Sequence, residues 1–211
     1  MLNLCKLLIL DYGGVYSFDY DSGNFNKIIV DTFGKMPSEN ERLQIIERSH
    51  LLGANKISTQ EYVSMLSKIL DVSQPPTVEK FEDATIAVTN PPSQQMSELV
   101  QEVRRNGLKV SLLSDMYMFE VKRTTPWGRY EGFDYVSFSA VVGMTKYDPR
   151  FFEQTLSHFG ITAKESLFVD DVINNIEVAQ SVGLNTLFVD KEKYLRVEQL
   201  VQQIYNLLGA E

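Results

Sequence analysis

Four short stretches carry residue types suited to chemistry on an anion: Asp11-Tyr12-Gly13-Gly14, Ser114-Asp115, Lys146-Tyr147-Asp148 and Asp170-Asp171. Asp11, Asp170 and Asp171 brought together would repel one another strongly unless a hard divalent cation sat among them, and Mg²⁺ prefers oxygen ligands of this kind. Lys146 and the donors of Ser114 would then hold a phosphate group against Asp11. Gly13 and Gly14 let backbone come close to a ligand or adopt positive φ. Taken alone, Asp11-Tyr12-Gly13 reads as a turn at a strand end; the three later stretches turn the reading toward a site.

This chemistry needs the four stretches in one place, and the intervening pattern supplies a way to put them there. The uninterrupted apolar run Leu7–Leu10 reads as a buried strand that ends at Asp11. From Ser93 onward, helices and short apolar strands alternate. Met96, Leu99, Val100 and Val103 repeat at helical spacing, Gly107 stops that helix, and Leu108–Leu113 follows as a strand. The unit recurs as Phe151–Phe159 with Gly160 before Ser166–Val169, and as Ile176–Val182 with Gly183 before Asn185–Val189. A last helix carries Val197, Leu200, Val201, Ile204 and Leu208 on one face. Parallel strands need crossovers of this length, so the fold class is α/β: a Rossmann-like parallel sheet with helices on both faces. Ligands of such sheets collect beyond the carboxyl ends of the strands, where Asp11, Ser114 and Asp170 fall.

Residues 16–90 interrupt this grammar. Tyr16 to Gly23, polar and aromatic without a period, predicts a turn or short hairpin. Ser38 with Glu41 and Ser58 with Glu61 have the spacing of a capping box, each heading a helix of about three turns. A further helix is predicted over Thr77–Val88, and the Pro-rich Thr89-Asn90-Pro91-Pro92 closes the segment. The expected organisation is an α/β core formed by residues 1–15 and 91–211, with a helical insertion at 16–90.

On these residues the chain resembles the haloacid dehalogenase superfamily, in the branch whose helical cap is inserted directly after the first motif. Asp11-Tyr-Gly-Gly-Val15 resembles the first motif, Leu112-Leu-Ser114-Asp115 the second, and Lys146-Tyr-Asp148-Pro149 the third. Phe168-Val-Asp170-Asp171, continuing through Asn174-Asn175 to Ala179 and Gly183, resembles the fourth. The resemblance implies a Mg²⁺-dependent hydrolase, a phosphatase of small phosphorylated metabolites. Asp11 would be the nucleophile that forms an aspartyl-phosphate, Ser114 would bind the phosphate, and Lys146 would neutralise charge on both. Metal ligands would be Asp11, the Gly13 carbonyl and Asp171, with Asp170 binding directly or through water; Gly14, Ser114, Asp115 and Lys146 would contact substrate. Asn175 is expected to orient the aspartate pair more than Asn174, and the helical insertion becomes a cap that closes over the substrate.

Three departures bear on function. Gly13 stands where most phosphatases of the family carry a second Asp that protonates the leaving oxygen, help worth about 10²–10⁴-fold. Asp115 replaces the usual Asn, and Tyr147 the usual Pro. Either the substrates have good leaving groups, such as sugar 1-phosphates or acyl phosphates, or Asp115 or a cap residue supplies the acid. Gly13 with Asp115 also allows a weakly active or inactive paralogue that binds a phosphorylated ligand or a partner protein. A metal-independent 2-haloacid dehalogenase is the other alternative, and the paired Asp170-Asp171 speaks against it. Lys56 lies where phosphonate hydrolases of the family place a Schiff-base Lys, but a Lys there is ordinarily a solvated surface residue.

Other residues have simpler readings. His50 and His158, without partners at metal spacing, read as surface or helix-end residues. Phe151, Phe152, Leu156 and Phe159 form a core stripe. Tyr16, Phe18 and Tyr20 follow the nucleophile loop and either line a substrate pocket or pack. Arg104-Arg105 is placed to complement a helix C-terminus beside Gly107.

A net charge of −8 with no block of Lys or Arg speaks against binding nucleic acid or an anionic membrane. The run Leu7–Leu10 is too short for a membrane span or a secretory leader. The single cysteine, Cys5, excludes a disulfide framework, and a reducing, cytoplasmic setting fits it. A chain of 211 residues should bury roughly 70% of its unfolded surface without covalent staples, as a monomer or homodimer.

Overall fold

Leu7–Leu10 is apolar at every position because both faces of the strand are covered. In the computed structural model, which describes residues 5–19 and 23–209, all four side chains are fully buried. Leu8 and Leu10 join one core layer, Leu7 and Ile9 the other, as the two-residue period of a strand requires. This strand, β1 (Leu7–Leu10), is flanked by β2 (Lys109–Ser114) and β4 (Ser166–Asp170), with β3 (Tyr135–Phe138) and β5 (Asn185–Phe188) at the edges. All pairings are parallel, in the order β3-β2-β1-β4-β5. Leu10 stands level with Leu112 on one side and Val169 on the other, so Asp11, Ser114 and Asp170 end up at one edge of the sheet.

Helices cover both faces. α5 (Gln94–Arg105) and α10 (Val197–Leu208) press Met96, Leu99, Val100, Leu200 and Ile204 onto one layer. α8 (Pro149–Phe159) and α9 (Ile173–Val182) press Phe151, Phe152, Ile176 and Ala179 onto the other. The expected α/β architecture is thus present, with one strand that sequence reasoning missed.

That strand is β3. Its four residues are half exposed at one end and buried at the other, so neither alternation nor a continuous apolar run marks it. Tertiary pairing holds it instead. Asp134 accepts the backbone N–H of Val110 at 2.9 Å and the Arg104 guanidinium at 3.2 and 3.1 Å, while its own N–H donates to the Val110 carbonyl at 2.8 Å. Arg104, expected to complement its helix end, therefore also fastens the entry to the edge strand.

Among the described residues, four helices lie between β1 and α5: α1 (Gly23–Phe33), α2 (Glu39–Gly53), α3 (Thr59–Ile69) and α4 (Val78–Ala87). The two expected capping boxes form, with Ser38 and Ser58 each exchanging bonds with Glu41 and Glu61. Ile29, Ile45, Tyr62, Val63, Leu66 and Phe81 build a separate apolar cluster for these helices. Phe119 of α6 (Met118–Thr124), which follows β2, also enters this cluster, and Arg123 of the same helix meets Asp83 at 2.8 Å. The two connections to the sheet run side by side. Ser93 N–H donates to Tyr16 O at 3.0 Å, and the Asn90 carbonyl accepts from the Tyr12 hydroxyl at 2.8 Å. The stretch after Gly13 is turns with one isolated bridge between Gly13 and Ser17; Tyr20 lies outside the described residues.

Candidate active site

The sheet order reverses beside β1, where ligands of open α/β sheets bind, and the acidic stretches meet there. Asp11 leaves the end of β1 and Asp170 closes β4, one strand away. Lys146 reaches between them: its ammonium is 2.8 Å from Asp11 Oδ1 and 2.6 Å from Asp170 Oδ2. Oxygens of Asp11, Asp170 and Asp171 all lie within 4.8 Å of one another.

Asp170 is held in a cage. Its Oδ1 accepts Val172 N–H at 2.7 Å, and Asn175 Nδ2 donates to both carboxylate oxygens at 3.1 Å. Asn174 turns away, and its amide meets the Tyr147 hydroxyl at 3.3 Å. Gly14 backs directly onto Asp171, since a Cβ at Gly14 would stand 2.0 Å from Asp171 Oδ2. Its φ of +75° is also one that side chains resist. Gly14→Ala is expected to cost about 1–2 kcal/mol through its backbone and to push Asp171 aside, weakening Mg²⁺ binding by about 10–100-fold. Calorimetric titration with Mg²⁺ measures it, and unchanged affinity would exclude Asp171 from the binding place.

The electrostatics follow from burial. Burial alone would lower the Lys146 ammonium, but Asp11, Asp170 and Asp115 outweigh it and hold the group raised. Asp170 is raised by burial first and by the charge of Asp11 second, with Lys146 pulling the other way. Burial likewise pushes Asp171 up to about 6. A carboxyl raised on folding supports stability below the unfolded carboxylate range, and that support is lost as pH rises through the raised value. Metal-free protein should therefore melt lower at about pH 7.5 than at about pH 5, and Mg²⁺ should raise the melting temperature more at the higher pH. Scanning calorimetry reads both; an equal Mg²⁺ shift at the two pH values would count against this cluster.

Asp115 holds the loop that carries Lys146. Its oxygens accept Lys146 N–H at 3.1 and 3.4 Å, and it bonds Ser139 as well. Ser139, the first residue of α7 (Ser139–Val142), also takes Met116 N–H at 3.0 Å. Ser114, buried, precedes this pinned turn. Asp115 is an exposed residue whose carboxyl is nevertheless hemmed in by protein: desolvation first, and the charge of Asp11, raise it to about 6 against the pull of Lys146.

A cavity of about 200 Å³ lies between the helical insertion and the sheet edge, lined by Phe25, Ile28 and His50 on one side and Asp115, Glu120 and Thr145 on the other. His50 ends α2 and packs its ring on Tyr147 at 4.1 Å. His158 stacks on Tyr135. Lys56 is exposed, away from this cavity, beside Gly143. Tyr16 is buried against Phe133, and Phe18 packs on the core under the ammonium of Lys191; both pack rather than line the cavity.

Two polar residues here had no signal in the sequence. Lys191 donates to the Gly14 carbonyl at 2.5 Å and the Phe18 carbonyl at 3.0 Å, and its charge also reaches Asp171. Glu120 faces the cavity from α6. A lone Lys or Glu in a polar stretch carries no periodicity, so only the fold reveals its address.

A profile of the haloacid dehalogenase-like hydrolases matches residues 25–183. Among curated proteins, acyl-CoA dehydrogenase family member 10 of Mus musculus is 31% identical over 115 residues, which is 54% of this chain and 10% of that protein. A sesquiterpene phosphatase of Aspergillus oryzae is 32% identical over 95 residues, 44% of this chain and 48% of that protein. The chain thus spans less than half the length of either relative. A haloacid dehalogenase family enzyme of Bacteroides thetaiotaomicron, solved with magnesium and inorganic phosphate, superposes with a TM-score of 0.64 at 20% identity, over 87% of this chain and 93% of that one. Among the described residues, no helix is long and apolar enough to cross a membrane. With the profile spanning well over half its length and the fold in agreement, the chain belongs to the haloacid dehalogenase-like hydrolases.

Proposed function

We propose that the chain is a Mg²⁺-dependent phosphatase of small phosphorylated metabolites that works through an aspartyl-phosphate on Asp11. One observation carries the reading: a buried Lys146 ammonium shared by Asp11 and Asp170, with Asp171 in the same carboxylate cluster at the carboxyl ends of the strands. Three carboxylates against one buried ammonium leave the cluster negative, and their hard oxygens suit Mg²⁺. Asp11, Asp171 and the Gly13 carbonyl would hold the ion, with Asp170 direct or through water. Bound there, the ion supplies positive charge to the phosphoryl oxygens.

The remaining steps belong to the chain. Asp11 attacks phosphorus, an O–P bond forms, and the bond to the leaving oxygen breaks with its electron pair. Water then cleaves the acyl phosphate. Lys146 neutralises charge on Asp11 and the phosphoryl group, and Ser114 binds the phosphate. Gly13 offers no carboxyl, so this loop by itself supports leaving groups that depart unaided, such as acyl phosphates and sugar 1-phosphates. The four helices α1–α4 act as the cap over the cavity.

The test is phosphate release from acetyl phosphate, glucose 1-phosphate and glucose 6-phosphate with Mg²⁺ and with EDTA. Release that needs Mg²⁺ is expected. Chloride release from 2-chloropropionate without metal would favour the dehalogenase instead.

A further inference from the structure

Among the described residues, three glutamates at α-helix starts accept the backbone N–H of the residue three positions before them: Glu41, Glu61 and Glu120. Glu41 also has Lys35 and the Ser38 hydroxyl, and Glu61 the Ser58 hydroxyl, and both are held below their ordinary range. Glu120 differs. Its Oε2 takes Tyr117 N–H at 2.8 Å, which anchors the carboxyl in the turn that follows Ser114, and it faces the cavity beneath the helical insertion. Among the described residues, no Lys or Arg lines that cavity. Glu120 is half-buried, and desolvation of its carboxyl, opposed by the Tyr117 bond, pushes it up to about 7.

The cavity is walled in part by the loops that carry Ser114 and Lys146. Asp115 and Thr145 in its wall are the chain neighbours of Ser114 and Lys146. The charge of Glu120 also reaches Tyr12, next to Asp11. Asp115 shares the cavity, but its oxygens already take Lys146 N–H and Ser139.

We infer that Glu120 bonds the leaving oxygen of a small uncharged alcohol in this cavity and performs the acid/base role for which Gly13 has no group. The inference rests on the aspartyl-phosphate reading above. As the phosphorus–oxygen bond breaks, Glu120 gives its proton to the leaving oxygen and the alcohol departs neutral. The Glu120 carboxylate then takes a proton from the water that attacks the acyl phosphate, which restores the acid. The cavity, smaller than the roughly 300–1,000 Å³ of drug-sized sites, fits a short leaving group. Two carboxyls without a cation disfavour a second phosphate or carboxylate on it.

The test uses phenyl phosphate and p-nitrophenyl phosphate, alike in shape but different in their need for an acid. Gln at position 120 can still accept the Tyr117 N–H, so Glu120→Gln keeps the helix cap and removes the proton. Expected are a fall in kcat of about 10²–10³-fold on phenyl phosphate and under about 5-fold on p-nitrophenyl phosphate. Wild-type turnover of phenyl phosphate should also fall as pH rises through about 7, because only the protonated carboxyl can donate, and this limb should vanish in Glu120→Gln. The other titrating groups that line the cavity or sense the charge of Glu120 are Asp115, His50, Tyr117, Tyr12 and Tyr130, all retained in the variant, so loss of the limb assigns it to Glu120. Equal losses on both substrates, no loss on phenyl phosphate, or a limb that persists would each overturn the inference. If wild type releases neither phenol in an Asp11-dependent way, the aspartyl-phosphate reading falls and this inference with it.

Discussion

Asp11→Asn is expected to fold as well as wild type and to lose at least about 10⁴-fold in Mg²⁺-dependent phosphate release, the scale of removing a nucleophile outright. The amide keeps the shape of the side chain but cannot form the acyl phosphate. Stability should not suffer, since one of three clustered carboxylates is removed while Lys146 keeps its 2.6 Å contact with Asp170. In the absence of metal the melting temperature should stay level or rise. Two readouts separate lost chemistry from lost structure: initial rates on acetyl phosphate, and mass spectrometry of the Asp11 peptide after rapid quenching, with phosphate expected on wild type alone. Wild-type rates from a folded Asp11→Asn protein would move the nucleophile elsewhere.

Lys146→Met has the largest expected effect on stability. Lys146 is 2% exposed, and its ammonium compensates both Asp11 and Asp170. Removing one partner of a buried ion pair leaves uncompensated charge and costs about 3–5 kcal/mol. For a chain of this size that lowers the melting temperature by about 6–20 °C. The loss should shrink at acid pH, because Asp170 is raised by burial and takes up a proton there, and it should shrink when Mg²⁺ is added. Phosphate release should fall by at least about 10²-fold even where the protein is folded, as for loss of a group that stabilises developing charge. Thermal melts across pH with and without Mg²⁺ check the first part and rates the second. A variant that melts like wild type in metal-free buffer near neutral pH would mean that the carboxylates are neutralised by something other than Lys146.

Much of this protein is legible without coordinates, because the signals involved are local. Leu7–Leu10, the helix stripe of Met96 to Val103 and the stops at Gly107, Gly160 and Gly183 report periodicity and backbone freedom over a few residues. Those signals determined the parallel α/β class. The order Asp11, Ser114, Lys146, Asp170-Asp171 marked one site, with Asp11, Ser114 and Asp170 at strand ends, and Ser38 and Ser58 marked two helix starts; that Lys146 comes from a loop between α7 and α8 was decided by the fold.

What the tertiary structure decided has no local signal. β3 is an edge strand held by Asp134 and Arg104, 30 residues apart. Lys191 reaches Gly14 across 177 residues, and Ser139 pins the turn after Ser114 from 23 residues away. The same holds for α6. Its sequence follows β2, yet Phe119 packs into the cluster of α1–α4, and this docking leaves Glu120 facing a cavity between them. A side chain's type is written in the sequence, but which cavity it faces and what burial does to its proton depend on how distant elements pack.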